Sequence, residues 1–364
     1  MKNSKLKVFF DSGSLRSGHA VRGIGSYTRN LATEVRKSKD VELVEDINES
    51  DIVHYPYFDL FFNTLKLMNK PIVVTIYDVI PLLYLKYYQP GIRGRLNFKR
   101  QKEKLKKVDA IITISETSKK DIVRFLDVDS SKVFVTYLAP AKQFRKLEIG
   151  NWKLEIQKRY GLPERFVLYV GDVNYNKNIP NLIKACERAK LNLVIVGKQA
   201  IKIEQNLVLR NLSGPRDWMR YVLNQPHPEH THFARLAKYF AQNKKVKRLG
   251  FVPDEELVGI YNLATLYCQP SFYEGFGLPV LEAMSCGCPV VCAKTQSLVE
   301  IAEKSAVFVN SKDFGEMALT LSRVAVDKKL RSQLITSGLT HVDKFSWDKT
   351  AKKTIEIYHE VLSK

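Results

Sequence analysis

Cysteine is scarce in this chain: five residues in 364, at positions 186, 268, 286, 288 and 292. Cys286 and Cys288 flank a glycine in an apolar context, and no second pair or histidine stands at zinc spacing beside them. They read as small buried residues rather than metal ligands. Long apolar runs are also missing. No stretch approaches the roughly 18 residues that a membrane-spanning helix needs. The N-terminal MKNSKLKVFFDSGS has lysines, but its apolar run is very short and ends at Asp11. It reads as a first β-strand rather than a secretory leader. The expected location is the cytoplasm.

Acid is in short supply too: 38 Asp and Glu stand against 58 Lys and Arg, a net charge of +20. The excess is spread along the chain, yet it peaks at residues 91–107, GIRGRLNFKRQKEKLKK, with eight basic residues and one acid. Ile92, Leu96, Phe98 and Leu105 add an apolar component at roughly helical spacing. A helix of this kind, Arg93 to Lys107, suits an anionic membrane surface or a polyanionic acceptor. It equally suits an ordinary solvated face. The aromatic-basic interleaving of nucleic-acid binders is not present.

What the chain does have is alternation. Short β-prone runs (5–11, 41–44, 51–55, 71–77, 110–114 and 132–136, then 165–171, 191–197, 265–269, 290–292 and 306–309) alternate with helical segments. This pattern predicts two doubly wound α/β domains. Their expected bounds are 1–150 and 164–345, joined by a linker at 151–163. PIVVTIY at 71–77 is nearly all apolar, as a parallel strand covered on both faces should be. Helices are expected at 26–37, near Leu60 to Met68, over 152–160, and over 347–362.

The most informative stretch is 264–292, ATLYCQPSFYEGFGLPVLEAMSCGCPVVC. A strand runs into a glycine loop, which opens a helix at Leu278 and Pro279. That helix ends at Gly287, where glycine tolerates a left-handed cap. Amides at Gly275, Gly277 and Leu278 open the helix without intrahelical acceptors, which is an anion-binding arrangement. Two carboxylates accompany it, Glu274 in the loop and Glu282 in the helix. Their backbones should lie roughly 10 Å apart or more, too far for a paired-carboxylate hydrolase and suited to gripping two ends of one long ligand.

Glu274-Gly-Phe-Gly-Leu-Pro-Val-Leu-Glu282 resembles the donor-site signature of the group-one family of retaining GT-B glycosyltransferases, in which two glutamates are separated by seven residues. The resemblance covers nearly the whole chain. It implies a GT-B fold: two Rossmann-like doubly wound domains facing across a donor-binding cleft, with a last helix (346–364) packed back on the N-terminal domain. It also implies sugar transfer from a nucleotide-sugar donor with retention of configuration. Nucleotide-linked hexoses such as mannose or glucose, on GDP or UDP, are the expected donors, with no metal and no cofactor. A glycan or lipid-linked acceptor of cell-envelope polysaccharide biosynthesis is expected, with peripheral attachment at the inner face of the membrane.

The resemblance also distributes roles. Glu282 would hold the ribose and Glu274 the donor sugar, with Gly275, Phe276, Gly277 and Leu278 around the diphosphate. Lys177, at the start of a helix after Gly171-Asp-Val-Asn-Tyr-Asn, would neutralise that diphosphate. A lysine at a helix start opposes the dipole unless an anion lies between them. Gly25, in Gly23-Ile-Gly25-Ser, resembles the family's N-terminal glycine loop, which faces the donor diphosphate across the cleft. Val252 and Leu257 fall in the segment whose backbone holds the nucleobase. Asp78 ends a strand, where open α/β sheets place ligands. It forms Tyr77-Asp78, where the family commonly has His-Asp. His54 also follows a strand, as a second residue for the sugar side or as a packed core histidine. Asp172 stands where an arginine is often found.

Three further signals are weaker. Asp127-Val-Asp129 has the form of another glycosyltransferase fold's metal motif, but it lies in a turn. Ser115 reads as a helix N-cap. His227, His230 and His232 sit in what reads as a polar insertion at 198–245, where prolines oppose a shared metal geometry. Three other readings are compatible with the sequence: a phosphorylase of the same architecture, using free phosphate and a pyridoxal cofactor, for which the chain is short; a catalytically weak or inactive sugar-nucleotide-binding protein of that architecture; and a glycosyltransferase acting on RNA.

Overall fold

The computed structural model describes residues 5–16, 23–148, 150–204 and 228–364. The chain forms two compact units. The first comprises the residues up to Leu85, Gln89–Ala139 and Phe345–Lys364; the second comprises Lys86–Tyr88 and Pro140–Lys344.

The first unit carries strands β1 (Leu6–Phe10), β2 (Val41–Val44), β3 (Ile52–Tyr55), β4 (Ile72–Thr75), β5 (Ala110–Thr113) and β6 (Val133–Val135). They form one sheet in the order β2-β1-β3-β4-β5-β6, and every pairing is parallel. Every residue of β3, β4 and β5 is buried, as expected of parallel strands covered on both faces. The helix Trp347–Leu362, last in the chain, belongs to this unit and packs on the helix Gly23–Val35.

The second unit repeats the design with β7 (Phe166–Val170), β8 (Asn192–Val196), β9 (Val246–Gly250), β10 (Leu266–Gln269), β11 (Val290–Ala293) and β12 (Val307–Val309). The order is β12-β11-β10-β7-β8-β9, again all parallel. The helix Trp152–Tyr160 lies in this unit. In both sheets strand order reverses beside the first strand, between β1 and β3 and between β7 and β10. In open α/β sheets the crevice at such a reversal, beyond the carboxyl ends of the strands, is where ligands bind.

Most expected elements are present within a residue or two. Ser115 caps the helix Glu116–Leu126 by accepting from Ser118 N at 2.9 Å. All five cysteines are buried thiols. Asp127 and Asp129 end one helix and cap a 3-10 turn.

The helix expected near Leu60 to Met68 is absent; the segment is an irregular loop. The reason lies in two polar groups, one local and one from elsewhere in the unit. The Asp59 carboxylate accepts from the amides of Phe61 and Phe62. Gln101, fully buried on the helix Ile92–Leu105, donates to the carbonyls of Asp59 and Phe62. Tertiary hydrogen bonds thus satisfy the backbone that a helix would have satisfied locally. The basic helix is real, but its apolar residues divide. Leu105 is buried and Phe98 packs on the core, whereas Ile92 and Leu96 are 73% and 55% exposed. The polar insertion read around the histidines is partly helix, Pro228–Gln242, which carries His230 and His232. His227 lies outside the described residues.

Candidate functional site

The centre of the second unit's site is the pair Lys177 and Glu274. Each comes from the loop after one of the two strands that flank the order reversal, β7 and β10. Lys177 Nζ donates to both Glu274 oxygens, at 2.9 and 2.8 Å. Glu274 is only 6% exposed, and three more donors or contacts fix it. Gln269 Nε2 and Ser271 Oγ both donate to its Oε1 at 2.6 Å. Ser297 Oγ donates to its backbone carbonyl at 2.6 Å. Gln269 is itself held, accepting from the Tyr267 hydroxyl and donating to Ser271. A carboxylate this buried is tolerated only when its lone pairs are satisfied and a cation faces it.

The loop's geometry depends on Gly277. Its φ is +107°, and a Cβ there would come within 2.5 Å of Leu298 Cδ2. Any side chain would meet both a disfavoured backbone angle and a buried leucine. The helix Leu278–Ser285 starts directly after it, with proline at the helix opening. The two loops are clasped together as well. Phe272 N donates to Asn176 O at 2.7 Å, and Asn176 Nδ2 donates to Tyr273 O at 3.1 Å.

Glu282 sits half-buried on that helix and accepts from the Tyr261 hydroxyl at 2.9 Å. Burial pushes its carboxyl up to about 7; the Tyr261 hydrogen bond pulls the other way, and Asp254 adds to the rise. It therefore titrates near neutrality, unlike a solvated glutamate.

The remaining expected residues divide. Gly275 and Gly277 are buried in the loop, and Leu278 is half-buried. Phe276, Val252 and Leu257 are 3%, 3% and 6% exposed, so their side chains are core and only their backbones can meet a ligand. In the first unit, Gly25 lies in the first turn of the helix Gly23–Val35. Tyr77 and Asp78 follow β4. The Tyr77 hydroxyl donates to Pro56 O at 2.8 Å, and Asp78 accepts from Ile80 N at 2.9 Å. Asp172 is half-buried after β7.

His54 does not serve a sugar side. Its ring is fully buried, bonded to the Tyr358 hydroxyl at 2.6 Å and the Thr75 hydroxyl at 2.8 Å. Of the two readings of this residue, the structure has the packed one. Four residues that sequence reasoning passed over complete the site: Gln269, Ser271, Ser297 and Tyr261. The signal available was a glutamine ending an otherwise apolar buried strand, since a polar residue there needs a partner.

Two doubly wound parallel units, with a cation and a carboxylate at the order reversal of the second, define a GT-B α/β protein. The family described as Glycosyl transferases group 1 matches residues 153–341, and the one described as Glycosyltransferase Family 4 matches 26–139. The chain belongs to the group 1 glycosyltransferases. It is 29% identical over 285 residues to O-antigen chain mannosyltransferase B of Escherichia coli, covering 78% of this chain and 69% of that protein. It is 26% identical over 292 residues to the serotype-specific mannosyltransferase WbdA of Escherichia coli, covering 80% of this chain but only 33% of WbdA. Among solved structures, HepE of Anabaena in complex with UDP and glucose superposes with TM-score 0.69 at 15% identity, over 98% of this chain and all of that one (100%). WaaG, a glycosyltransferase involved in lipopolysaccharide biosynthesis, gives 0.65 at 13%, over 97% and 99%. At such identities the structural likeness speaks for the fold.

Proposed function

We propose that this glycosyltransferase moves a hexose, mannose foremost, from a GDP- or UDP-linked donor to a glycan or lipid-linked acceptor of the cell envelope, with retention of configuration and without a metal. One observation carries the reading: the buried, five-point anchoring of Glu274 against Lys177 at the second unit's order reversal. The mannosyltransferases of O-antigen synthesis among the relatives support the sugar and the acceptor class. HepE, solved with UDP-glucose, supports a nucleotide-linked donor.

In this reading Lys177 and the amides at Gly277 and Leu278 neutralise the leaving diphosphate. Preorganised charge of this kind stabilises the transition state without reorganisation. Glu274 orients the donor sugar and holds Lys177 in place. Glu282 takes the ribose diol, while backbone near Val252 and Leu257 meets the base. The leaving phosphate accepts the acceptor's proton, since no protein base is evident. In the first unit Tyr77, at the carboxyl end of β4, is assigned to the acceptor or sugar side, Asp78 beside it is counted with Lys177 and Glu274 as catalytic, and Gly25 is assigned to the donor diphosphate.

The test is release of nucleotide from GDP-mannose and UDP-glucose, with a chelator present and a glycan acceptor added. Wild type should turn over, and Glu274→Ala should fall by about 10²–10³-fold, the usual loss for one preorganised electrostatic contact. Equal rates in the two proteins would sink the assignment.

A specific observation also favours membrane attachment. On the helix Ile92–Leu105, the exposed Ile92 and Leu96 stand among exposed Arg93, Arg95, Lys99 and Arg100. Exposed apolar side chains within a cationic field suit an anionic lipid surface. Replacing these four cations by glutamine should abolish sedimentation with phosphatidylglycerol vesicles but leave transfer to a soluble acceptor intact. Unchanged sedimentation would remove the idea.

A further inference from the structure

Asn176 lies in the 3-10 turn Tyr175–Lys177, directly before Lys177. It is 2% exposed, so each polar atom of its side chain needs a partner. Its Nδ2 donates to Tyr273 O, the carbonyl directly before Glu274, and its own carbonyl accepts from Phe272 N. Its Oδ1 accepts from the Tyr88 hydroxyl at 2.6 Å. Tyr88 is in the short segment Lys86–Tyr88, which belongs to the second unit. The neighbouring Tyr87 ring stacks on Tyr175, with centroids 3.5 Å apart and planes inclined by 11°. Two consecutive residues of the segment thus grip two consecutive residues of the turn.

We propose that Asn176 and Tyr88 are positioning residues for the Lys177–Glu274 pair. Tyr88 sets which way the Asn176 amide points, and Asn176 holds the Lys177 turn and the Glu274 loop at one spacing. A carboxamide turned over fits the same space with its oxygen and nitrogen exchanged. With the Tyr88 hydroxyl donating to Oδ1, Nδ2 faces Tyr273 O. Turned over, the amide would put its oxygen against that carbonyl, two acceptors with no proton between them. The ion pair alone does not fix the spacing, because an ammonium on a flexible four-carbon stem keeps its contact over a range of separations. Transfer is less tolerant, since a misplacement of about 1 Å can cost 10²-fold. The consequence for turnover rests on the transfer reading of Lys177 and Glu274 given above.

The experiment follows the full chain in two ways: turnover of GDP-mannose and UDP-glucose, and NMR amide exchange at Phe272, whose N–H bonds Asn176 O. Tyr88→Phe removes one hydroxyl, and its melting temperature should stay near wild type. Its kcat should fall about tenfold with KM nearly unchanged, the pattern of a contact that matters in the transition state. Asn176→Ala should fall about 10²-fold. The double variant should fall no further than Asn176→Ala, because the hydroxyl's effect on the pair runs through the amide. In a Glu274→Ala background, Tyr88→Phe should cost nothing more. Exchange at Phe272 should quicken about tenfold in Tyr88→Phe, as the clasp opens locally. Wild-type kcat in Tyr88→Phe overturns the proposal, as does unchanged exchange at Phe272. A Tyr88→Phe loss that persists in the Asn176→Ala or Glu274→Ala background overturns it too, by assigning the effect to other contacts of the hydroxyl. If wild type turns over neither donor while exchange at Phe272 still quickens in Tyr88→Phe, the transfer reading falls and the clasp is upheld.

Discussion

The two units each bury a polar network, and the networks differ in charge. In the first unit His54 joins the Tyr358 and Thr75 hydroxyls, and Thr75 continues to the Tyr27 hydroxyl at 3.1 Å. All four side chains are buried and neutral at pH 7: burial lowers the histidine to about 3 and raises both tyrosines above their ordinary range. In the second unit the network contains a full ion pair. A neutral network fixes geometry at little desolvation cost. It ties the last helix, through Tyr358, to β3 and β4. An ion pair in the same environment contributes little net stability, because desolvation offsets the attraction. The first network is therefore what architecture alone requires, and the second carries charge that architecture does not need.

Breaking the ion pair should give the largest effect. Glu274→Leu leaves Lys177 facing a buried apolar site and should lower unfolding free energy by about 3 kcal/mol. The double variant Lys177→Met, Glu274→Leu should recover most of that stability in urea unfolding, because both charges are gone. Transfer should stay about 10²–10³-fold down in both. If the double variant regained activity along with stability, the pair would be architectural and the contrast between the units would collapse.

The neutral network makes the opposite prediction, large on stability and small on turnover. His54 is held neutral when folded, with its protonation moved down to about 3. An unfolded histidine protonates below roughly 6.5. Its contribution is therefore full above pH 6.5 and is lost as pH falls from there towards 3, at up to about 1.4 kcal/mol per pH unit. His54→Leu should be less stable at pH 7, since it strands the Thr75 and Tyr358 hydroxyls. Its stability should also decline less steeply towards pH 5 by about one proton. Parallel slopes for variant and wild type would show that His54 is not the titrating group. Activity per folded molecule should hold near wild type.

The difference also marks how far the sequence could be read. Alternating apolar runs gave away the strands of both sheets except β9, because a parallel strand buried on two faces must be almost wholly apolar, whereas β9, VKRLG, is an edge strand that is only partly buried. Gly277 and the two glutamates were legible because their spacing is demanded locally by a loop opening a helix. The loop at 59–65 was not, since the groups that prevent a helix there, Gln101 among them, lie about forty residues away. His54 kept two readings open for a similar reason. Its partner Tyr358 is 304 residues further on, and nothing near a histidine after a strand distinguishes a ligand contact from a buried anchor. Gln269 and Ser271 flank a proline beside the signature, yet their common target becomes evident only when the Glu274 side chain turns back between them.

The finest test of the comparison is Glu282, whose charge changes near neutral pH. Burial raises its pKa from the ordinary 4.5 to about 7. The folded state thus loses stability as pH rises from about 4.5 through 7, and Glu282→Gln should be slightly more stable than wild type at pH 8. Donor binding should move the other way, because the ionised carboxylate is the better acceptor for two ribose hydroxyls. Calorimetric affinity for GDP-mannose or UDP-glucose should tighten several-fold between pH 6 and 8 in wild type, a change of about 1 kcal/mol. Glu282→Gln should bind weakly and show no such step. A step of equal size in the variant would assign the titration to another group, and with it the claim that the second unit's buried charge is there for the ligand would lose its ribose end.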